Sequence, residues 1–481
     1  MTFLDETRVA LGGLGDLFTG LVSPSVRLGV TGLSRAGKTV FITALVHNLL
    51  HGGRLPLFNA YAQGRILRVY LEPQLHDELP RFAYEEHVHA LLGENRHWPE
   101  STRRLSELRI TIEYAARGMI ARNTHGGALN IDIIDYPGEW LLDLPLMTLR
   151  YEDWSHQTVS QSRKAPRDAL AKDWHVYMAT LDPSAEASEL AAQEAARLFT
   201  QYLAKCRDDT VSLSSLPPGR FLMPGDLEGS PLLTFAPLDV KPDTVAPRGS
   251  LHAMMQRRYD SYVAHVVRPF FYNHFARLDR QIVLADVLTA LNAGPSAVSD
   301  LSAALTGVLA CFRQGANSWA SALTGRKIDR ILFAATKADL LHHSSHDRLE
   351  EILKLIVKGA VKRAEFSGAT VDVAAIAAIR ATREASVKQG RETLPCIVGV
   401  PAAGERIGDD VFDGKTEAAI FPGDLPDDPA KALDGSLTDA IRFVRFRPPL
   451  LEKAPPLVES PSFPHIRLDR AIEFLIGDKF R

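Results

Sequence analysis

The chain has 481 residues, of which 46% are hydrophobic and 23% charged, and its formal net charge is -3. This composition is ordinary for a globular protein of two or three domains, and it lacks the strong basic field that non-specific nucleic-acid binding needs. Because the three cysteines lie far apart in sequence and no apolar run reaches about 18 residues, we expect a cytoplasmic protein without disulfides or a membrane-spanning helix.

Residues 1–24 open the chain with the pattern of an amphipathic helix. Its apolar positions are Phe3, Leu4, Val9, Leu11, Leu14, Leu17, Phe18 and Leu21. Helices that lie on membrane surfaces are usually basic, whereas Asp5, Glu6 and Asp16 here outnumber Arg8. We therefore favour a helix that packs on the protein's own core over one that lies on a membrane.

A glycine-containing loop follows the first predicted strand, residues 26–31, and precedes a predicted helix, residues 39–50. It reads Gly-Leu-Ser-Arg-Ala-Gly-Lys-Thr and ends at Thr39. Such a loop can aim successive N–H groups at a phosphate, with the positive end of the helix behind them. Lys38 is predicted to reach the β- and γ-phosphate oxygens, and the Thr39 hydroxyl to ligate Mg²⁺. The predicted nucleotide-contacting residues here are Ser34, Arg35, Ala36, Gly37, Lys38, Thr39 and Val40.

Residues 51–105 are predicted to form a mostly helical insertion that includes a helix over residues 77–92. The insertion ends just before the second predicted strand, residues 108–114, where a first switch segment is expected. Such a switch needs a threonine that reaches Mg²⁺ when the γ-phosphate is present. We assign this role to Thr102, with Ser101 as its rival.

The third predicted strand, residues 129–134, is closed by Asp135, and Gly138 and Glu139 follow. A carboxylate at the end of a strand beside the phosphate loop can hold Mg²⁺ through water, and we assign Asp135 to this role. Asp132 is the rival, but its place inside the strand makes it a poorer metal partner. Gly138 offers a backbone N–H to the γ-phosphate. The Glu139 carboxylate would repel that phosphate yet can also orient water, so we predict slow hydrolysis without a partner.

Three further strands are predicted at residues 281–287, 329–335 and 370–377, separated by helices at residues 296–323 and 346–364. Strands that alternate with helices indicate a mainly parallel sheet covered on both faces. The predicted fold class is therefore α/β: a P-loop NTPase sheet with helical insertions and a smaller mixed α/β domain.

The predicted domain plan is discontinuous. The nucleotide-binding domain would comprise residues 25–50, 106–140 and 276–385, the helical segment residues 141–210, and the accessory α/β domain residues 211–275 and 386–481. Met223-Pro-Gly-Asp-Leu227 recurs as Phe421-Pro-Gly-Asp-Leu425 in the accessory regions. Two unrelated turns and a duplicated, paired element are both open interpretations of this repeat.

The fifth predicted strand leads into Thr336-Lys337-Ala338-Asp339. The Asp339 carboxylate can accept hydrogen bonds from N1–H and the exocyclic amine of guanine, whereas adenine offers no matching donors. The Lys337 stem can pack over the base. The loop after the sixth strand, with Ala378 and Ile379, is predicted to contact the base through backbone N–H groups. We therefore expect the chain to bind GTP and GDP.

Several of these segments together resemble the YcjX-like family of bacterial P-loop GTPases. The segments are the phosphate loop, Asp-Tyr-Pro-Gly-Glu-Trp, Trp98-Pro99, Ser101-Thr102, Thr-Lys-Ala-Asp, Ala378-Ile-Arg-Ala-Thr382 and both Pro-Gly-Asp-Leu repeats. The resemblance covers nearly the whole chain, although Thr336 stands where GTPases carry asparagine. It implies a Ras-like GTPase domain with added domains, and a stress-associated role that often involves an inner-membrane protein partner.

The leading interpretation is a Mg²⁺-dependent switch that hydrolyses GTP. Residues predicted to act in hydrolysis are Lys38, Thr102, Gly138 and Glu139, and the predicted metal ligands are Thr39, Thr102 and Asp135. The alternative is a scaffold that binds GTP or GDP and hardly hydrolyses it. An ATP-using phosphotransferase is disfavoured by the guanine-selective Asp339.

Overall fold

The computed structural model describes residues 24–33, 35–74, 76–100, 102–115, 127–208, 211–311, 328–389, 392–433, 443–451 and 460–480. Residues 1–23 of the predicted N-terminal helix, Ser34 and Ser101 lie outside the described residues. The chain divides into two compact units. The first comprises Met1–Tyr136, Arg277–Pro295 and Ala316–Arg481, and the second comprises Pro137–Ala276 and Ser296–Gly315.

The first unit is built on a sheet of seven described strands. These are β1 (Ser25–Gly32), β2 (Ile66–Leu71), β3 (Ser106–Tyr114), β4 (Gly127–Asp135), β5 (Arg280–Ala285), β6 (Arg330–Ala335) and β7 (Thr370–Ala375). Their order across the sheet is β2-β3-β4-β1-β5-β6-β7. The last five are mutually parallel, whereas β3 runs antiparallel to β4 and β2 antiparallel to β3. Every residue of β5 is buried, so both faces of the sheet are covered there.

The described helices are distributed over both units. They are α1 (Lys38–Leu50), α2 (Asn59–Ala62), α3 (Tyr84–Leu92), α4 (Tyr151–Ser162), α5 (Arg167–Leu170), α6 (Lys172–Met178), α7 (Glu189–Arg207), α8 (Gly219–Leu222), α9 (Leu251–Tyr262), α10 (Arg268–Asn273), α11 (Val287–Ala293), α12 (Pro295–Ala310), α13 (His346–Phe366) and α14 (Leu468–Ile476). α1 is buried along nearly its whole length, as expected of a helix that is apolar on most sides. No helix in the described part of the chain is long and apolar enough to cross a membrane.

All six predicted strands are present, and the mostly parallel sheet confirms the predicted α/β class. The insertion predicted to be mostly helical also contributes the edge strand β2, and the helix predicted from residue 77 begins at Tyr84. β2 depends on pairing with β3, a partner distant in sequence, which local pattern does not reveal. The strand predicted to reach residue 287 ends at Ala285, because Asp286 caps α11 by accepting a hydrogen bond from Thr289 N.

A small antiparallel sheet extends the first unit beyond β7. Its three strands are β8 (Arg383–Gln389), β9 (Glu392–Gly399) and β12 (Ala418–Ile420) in the order β12-β9-β8, while the two-residue strands β10 (Arg406–Ile407) and β11 (Asp410–Val411) form a separate pair. Ile397, Ile420, Val444 and Phe446 form its core. This region was predicted to join residues 211–275 in one accessory domain, but those residues belong to the second unit. The two Pro-Gly-Asp-Leu repeats therefore lie in different units and do not form one paired element.

The second unit is helical, and α4 to α7 lie where helices were predicted. Its core is rich in aromatic rings. Trp154 stacks on Tyr259 with 5.1 Å between ring centroids, and Trp174 stacks on Tyr202 at 5.2 Å. Such large rings bury much apolar area per residue, so a small helical unit gains a substantial core from them.

Candidate nucleotide-binding site

The loop between β1 and α1 passes through two left-handed residues, Arg35 with φ 64° and Gly37 with φ 82°. Glycine suits the second position because residues with side chains resist this conformation. Gly32 is needed for space instead, since a Cβ there would lie 3.0 Å from the Leu284 Cβ. Lys38 begins α1, and its buried ammonium donates to the Gly32 carbonyl oxygen at 3.0 Å. The loop thus has the form of a helix-terminal anion site with a cation beside it.

Three oxygen-bearing side chains from separate elements meet beside this loop. Thr39 Oγ1 in α1 lies 3.1 Å from Thr102 Oγ1, and Thr102 donates to Asp135 Oδ2 at 2.6 Å. Asp135 is the last residue of β4, which pairs with β1. The structure therefore brings the three predicted metal ligands together, although Thr102 is distant from the other two in sequence.

The Asp135 carboxylate is buried and incompletely hydrogen-bonded within the described ranges. It is 1% exposed, and its Oδ1 has no hydrogen-bond partner among the described residues. Burial raises the pKa of this carboxyl to about 6, although the Lys38 charge and the Thr102 hydroxyl act in the opposite direction. A buried oxygen without a partner is costly unless a ligand supplies one. Two hydroxyls and a carboxylate are donors that Mg²⁺ accepts, so these residues fit the ion.

Asp132, the rival carboxylate, has a different partner. Its Oδ2 accepts a hydrogen bond from Arg109 Nη2 of β3 at 2.8 Å, and the pair is largely buried. An ion pair satisfies a buried carboxylate without a metal. Asp132 therefore stabilises the contact between two antiparallel strands, and the structure favours Asp135 as the metal partner.

The second half of the site lies at the carboxyl ends of β5, β6 and β7, the edge where parallel sheets bind ligands. After β6, Thr336 Oγ1 donates to the Ala285 carbonyl oxygen at 3.4 Å. Lys337 has a left-handed backbone with φ 62°, and its ammonium pairs with Asp286. The role of Asp286 as the partner of Lys337 is not predicted from the sequence, because this residue falls within the predicted strand 281–287. The signal available was an acidic residue three positions before a threonine at a helix start.

Asp339 is 6% exposed and is held by the loop after β7. Ala381 N donates to its Oδ2 at 2.9 Å, and the Thr382 hydroxyl donates to its main-chain oxygen. His346 Nε2 lies 2.9 Å from the Ala338 oxygen and fixes the same turn. Burial raises the pKa of the Asp339 carboxyl to about 6, opposed first by the Ala381 N–H. The carboxylate is thus positioned but keeps capacity for further donors.

The raised pKa of Asp339 predicts that preference for guanine declines in acid. The predicted recognition would use the ionised carboxylate, so below about pH 6 the free protein would have to release a proton before binding guanine. The ratio of the ADP to the GDP dissociation constant should therefore fall about tenfold from about pH 7.5 to about pH 5. Calorimetric titration with both nucleotides measures this ratio, in which phosphate and Asp135 titrations cancel. A ratio that stays constant over the range contradicts the assignment of Asp339.

Gly138 and Glu139 belong to the second unit, where they begin a 3₁₀ segment, Gly138–Thr148. The buried Glu139 carboxylate accepts a hydrogen bond from Arg207 Nη1 of α7 at 3.2 Å. The sequence left open whether this carboxylate orients water or repels phosphate. In this structure the carboxylate is engaged in an ion pair within its own unit.

Trp140 follows in the same segment and is held in place by the first Pro-Gly-Asp-Leu repeat and by Arg220. Its Nε1 donates to the Met223 carbonyl oxygen at 3.0 Å, and the Arg220 guanidinium carbon lies 3.1 Å from its ring centroid. Arg220 Nη1 also donates to Asp226 of the repeat at 3.1 Å. A cation over an indole face is a favourable contact, especially where water is excluded. The repeat therefore fixes the 3₁₀ segment that begins at Gly138.

Gly219 lies against the backbone of this segment, and Gly219→Ala should destabilise the second unit. A Cβ at Gly219 would lie 1.8 Å from the Glu139 main-chain oxygen. Displacing that backbone should lower the free energy of unfolding by about 3 kcal/mol or more. Gly229→Ala is the matched control: nothing lies within 4 Å of its Cβ and φ is +77°, so only about 1 kcal/mol of strain is expected. Equal urea midpoints for the two variants would contradict this prediction.

The predicted site residues are distributed as follows. The predicted residues that lie together beside the loop after β1 are Lys38, Thr39, Thr102 and Asp135. Those at the carboxyl edge of the same sheet, after β6 and β7, are Thr336, Lys337, Asp339 and the loop with Ala378 and Ile379. Arg35, Ala36, Gly37 and Val40 are in or next to the phosphate loop. Gly138 and Glu139 are described within the second unit, and Ser34 lies outside the described residues.

Comparison with known proteins assigns the chain to a family. The family model described as "YcjX-like family, DUF463" matches residues 26–480. A protein of Escherichia coli strain K12 named Ras-like GTPase YcjX is 36% identical over 472 residues, covering 96% of this chain and 97% of that protein. A protein of the same name from Shewanella oneidensis is 36% identical over 481 residues, covering 94% of each chain. The mixed α/β fold, with its mostly parallel sheet, agrees with a P-loop GTPase fold, and the chain belongs to the YcjX-like family.

Proposed function

We propose that this chain binds GTP with Mg²⁺ and hydrolyses it slowly to GDP, so that the bound nucleotide acts as a switch. Both relatives described above are named Ras-like GTPase. The observation that carries the proposal is the contact series from Thr39 through Thr102 to Asp135, which ends in a buried carboxylate oxygen without a partner among the described residues. An oxygen set of this kind beside a phosphate loop is suited to a metal that accompanies a phosphate.

On the phosphate side, backbone N–H groups of residues 34–40 would surround the phosphates and Lys38 would neutralise the β- and γ-oxygens. The Thr39 and Thr102 hydroxyls, and Asp135 through water, would hold Mg²⁺, which withdraws charge from the phosphate oxygens when bound. Thr102 is the part of this set that would depend on the γ-phosphate, because it comes from the end of an insertion rather than from a core strand. Gly138 N–H is proposed to meet the γ-phosphate.

On the base side, Asp339 would accept hydrogen bonds from guanine N1–H and the exocyclic amine. Adenine would leave this buried carboxylate unpaired, which is the physical basis of selectivity. The Lys337 stem would pack over the base while its ammonium stays paired with Asp286. Ala378 and Ile379 would offer backbone N–H groups to the base, and Thr336 would replace the asparagine of other GTPases.

A second candidate is a scaffold that binds GTP or GDP with little hydrolysis. The ion pair between Glu139 and Arg207 favours it, because a carboxylate held by an arginine is less available to orient water. The stress-associated role and an inner-membrane protein partner, which the family resemblance implies, stay predictions, as does the cytoplasmic location expected from the sequence.

Two measurements separate these functions. Calorimetry with GTP, GDP and ATP, each with Mg²⁺ or with EDTA, should show GTP and GDP bound at least about a hundredfold more tightly than ATP. Single-turnover phosphate release should then be slow, yet faster than in Asp135→Asn. If the wild type binds GTP tightly but releases phosphate no faster than Asp135→Asn, the chain is the scaffold and not the hydrolysing switch. Equal affinity for ATP contradicts the proposed guanine site.

A further inference from the structure

Residues 460–467, here termed the C-terminal strap, are fixed at one end to α1. Asn48 of α1 is fully buried, and it makes two hydrogen bonds to one strap residue: its Nδ2 donates to Phe463 O at 3.1 Å, and its Oδ1 accepts from Phe463 N at 2.8 Å. His47 Nε2 lies 3.0 Å from Pro461 O. Burial lowers the pKa of His47 to about 4, so the ring is neutral and Nε2–H donates to that carbonyl.

The other end of the strap is fixed to the loop after β7. Ala377 N donates to Ile466 O at 3.0 Å, and Ile466 N donates back to Ala377 O at 2.8 Å. Arg380 N donates to Pro464 O at 2.7 Å. Backbone groups of the proposed base loop are thus satisfied by the strap, much as in a short antiparallel pair of strands.

The residue after Arg380 completes the connection, because Ala381 N donates to the Asp339 carboxylate. A continuous series of contacts therefore runs from α1, whose first residues are Lys38 and Thr39, through the strap to Asp339. The members of this series are all in the first unit. The strap is far in sequence from both α1 and the loop after β7, so its contacts with them exist only in the folded chain.

We propose that Asn48 is a positioning residue for guanine recognition, which acts by holding the C-terminal strap so that Ala381 N–H orients the Asp339 carboxylate. This inference rests on the proposed GTP-binding function. It adds that the last part of the chain belongs to the base site, and that α1 connects the phosphate side to the base side. An oriented carboxylate can accept two donors from the base, whereas a loosened one loses the alignment that hydrogen bonds require.

Asn48→Ala tests the proposal through a ratio of affinities. Because ADP offers Asp339 no donors, loosening the base loop should weaken GDP binding more than ADP binding. We expect the ratio of the ADP to the GDP dissociation constant to fall about tenfold, as for loss of one well-aligned bond to a charged group. A change that only destabilises the fold would weaken both nucleotides alike and leave the ratio unmoved. A wild-type ratio in the folded variant overturns the proposal.

Asn130→Ala is the matched control for this measurement. Asn130 lies in β4 of the same unit, where its Oδ1 accepts a hydrogen bond from Thr111 at 2.8 Å, and it does not touch the strap. Its removal should leave the ratio unchanged. If wild-type protein binds no GDP, the proposed function fails. If wild-type protein binds GDP selectively and Asn48→Ala is equally selective, only the positioning role fails.

Hydrogen exchange on the wild-type chain keeps the proposal falsifiable if Asn48→Ala does not fold. Adding GDP should slow amide exchange several-fold in peptides that cover residues 460–467, although these residues are not proposed to touch the nucleotide. Peptides that cover the edge strand β2 should exchange at the same rate with and without GDP. Strap exchange that is unaffected by GDP, in protein shown to be bound, overturns the inference.

Discussion

Replacing Asp339 with asparagine should change the preferred nucleotide from GTP to xanthosine triphosphate. Asp339 is buried, and its carboxylate accepts the Ala381 N–H at one oxygen, which leaves acceptor capacity for further donors. The asparagine oxygen can keep the bond from Ala381, which leaves an amide NH₂ toward the base. Guanine then meets a donor with its own amine, whereas xanthine offers a carbonyl oxygen at that position.

The expected change in the two affinities follows from the free energy lost when a buried polar group has no hydrogen-bond partner. GTP affinity should fall about a thousandfold and xanthosine triphosphate affinity should rise by a similar factor. Competition titration against a fluorescent nucleotide measures both. Asp372→Asn in β7 is the control, since this half-exposed carboxylate pairs with Arg470 and should leave the preference for GTP unchanged. If Asp339→Asn still prefers GTP, another group recognises the base.

Much of the fold follows from local pattern. The central strands β5 and β6 have the apolar run expected of a strand buried on both faces, and the glycine-rich loop identifies the strand and helix that flank it. Asp135 is predicted as a site residue because it closes a strand beside the phosphate loop, and Asp339 because it follows a strand within Thr-Lys-Ala-Asp and its carboxylate suits the donors of guanine. These inferences need only short-range sequence and general rules of topology.

Other features depend on contacts between distant residues, and the sequence did not indicate them. The edge strand β2 exists through pairing with β3, and the strap contacts α1 and the base loop from more than 400 residues and about 90 residues away. The Glu139 to Arg207 pair requires α7 to pack beside the 3₁₀ segment. Such contacts depend on tertiary packing, which overrides local propensity and has no periodic signature.

The failure of the accessory-domain prediction has a similar cause. The repeated Pro-Gly-Asp-Leu sequence indicated two related turns, but a turn motif does not specify its neighbour. In the second unit the first repeat fixes Trp140 and Arg220. In the first unit Leu425 of the second repeat is buried, and its carbonyl oxygen accepts from Arg348 of α13 at 3.0 Å. Similar turns thus stabilise different surroundings.

Lys38→Met should abolish hydrolysis and weaken GTP and GDP binding by about a hundredfold or more. Methionine keeps an unbranched side chain of similar bulk but removes the ammonium that donates to Gly32 O and would neutralise the phosphates. It also removes the charge that lowers the Asp135 pKa, so that carboxyl should hold its proton more tightly and bind Mg²⁺ less well. Calorimetry and single-turnover phosphate release measure the two effects. Lys358→Met, on an exposed position of α13, is the control and should bind and hydrolyse GTP like the wild type. If Lys38→Met binds GDP as tightly as the wild type, the loop after β1 is not the phosphate site.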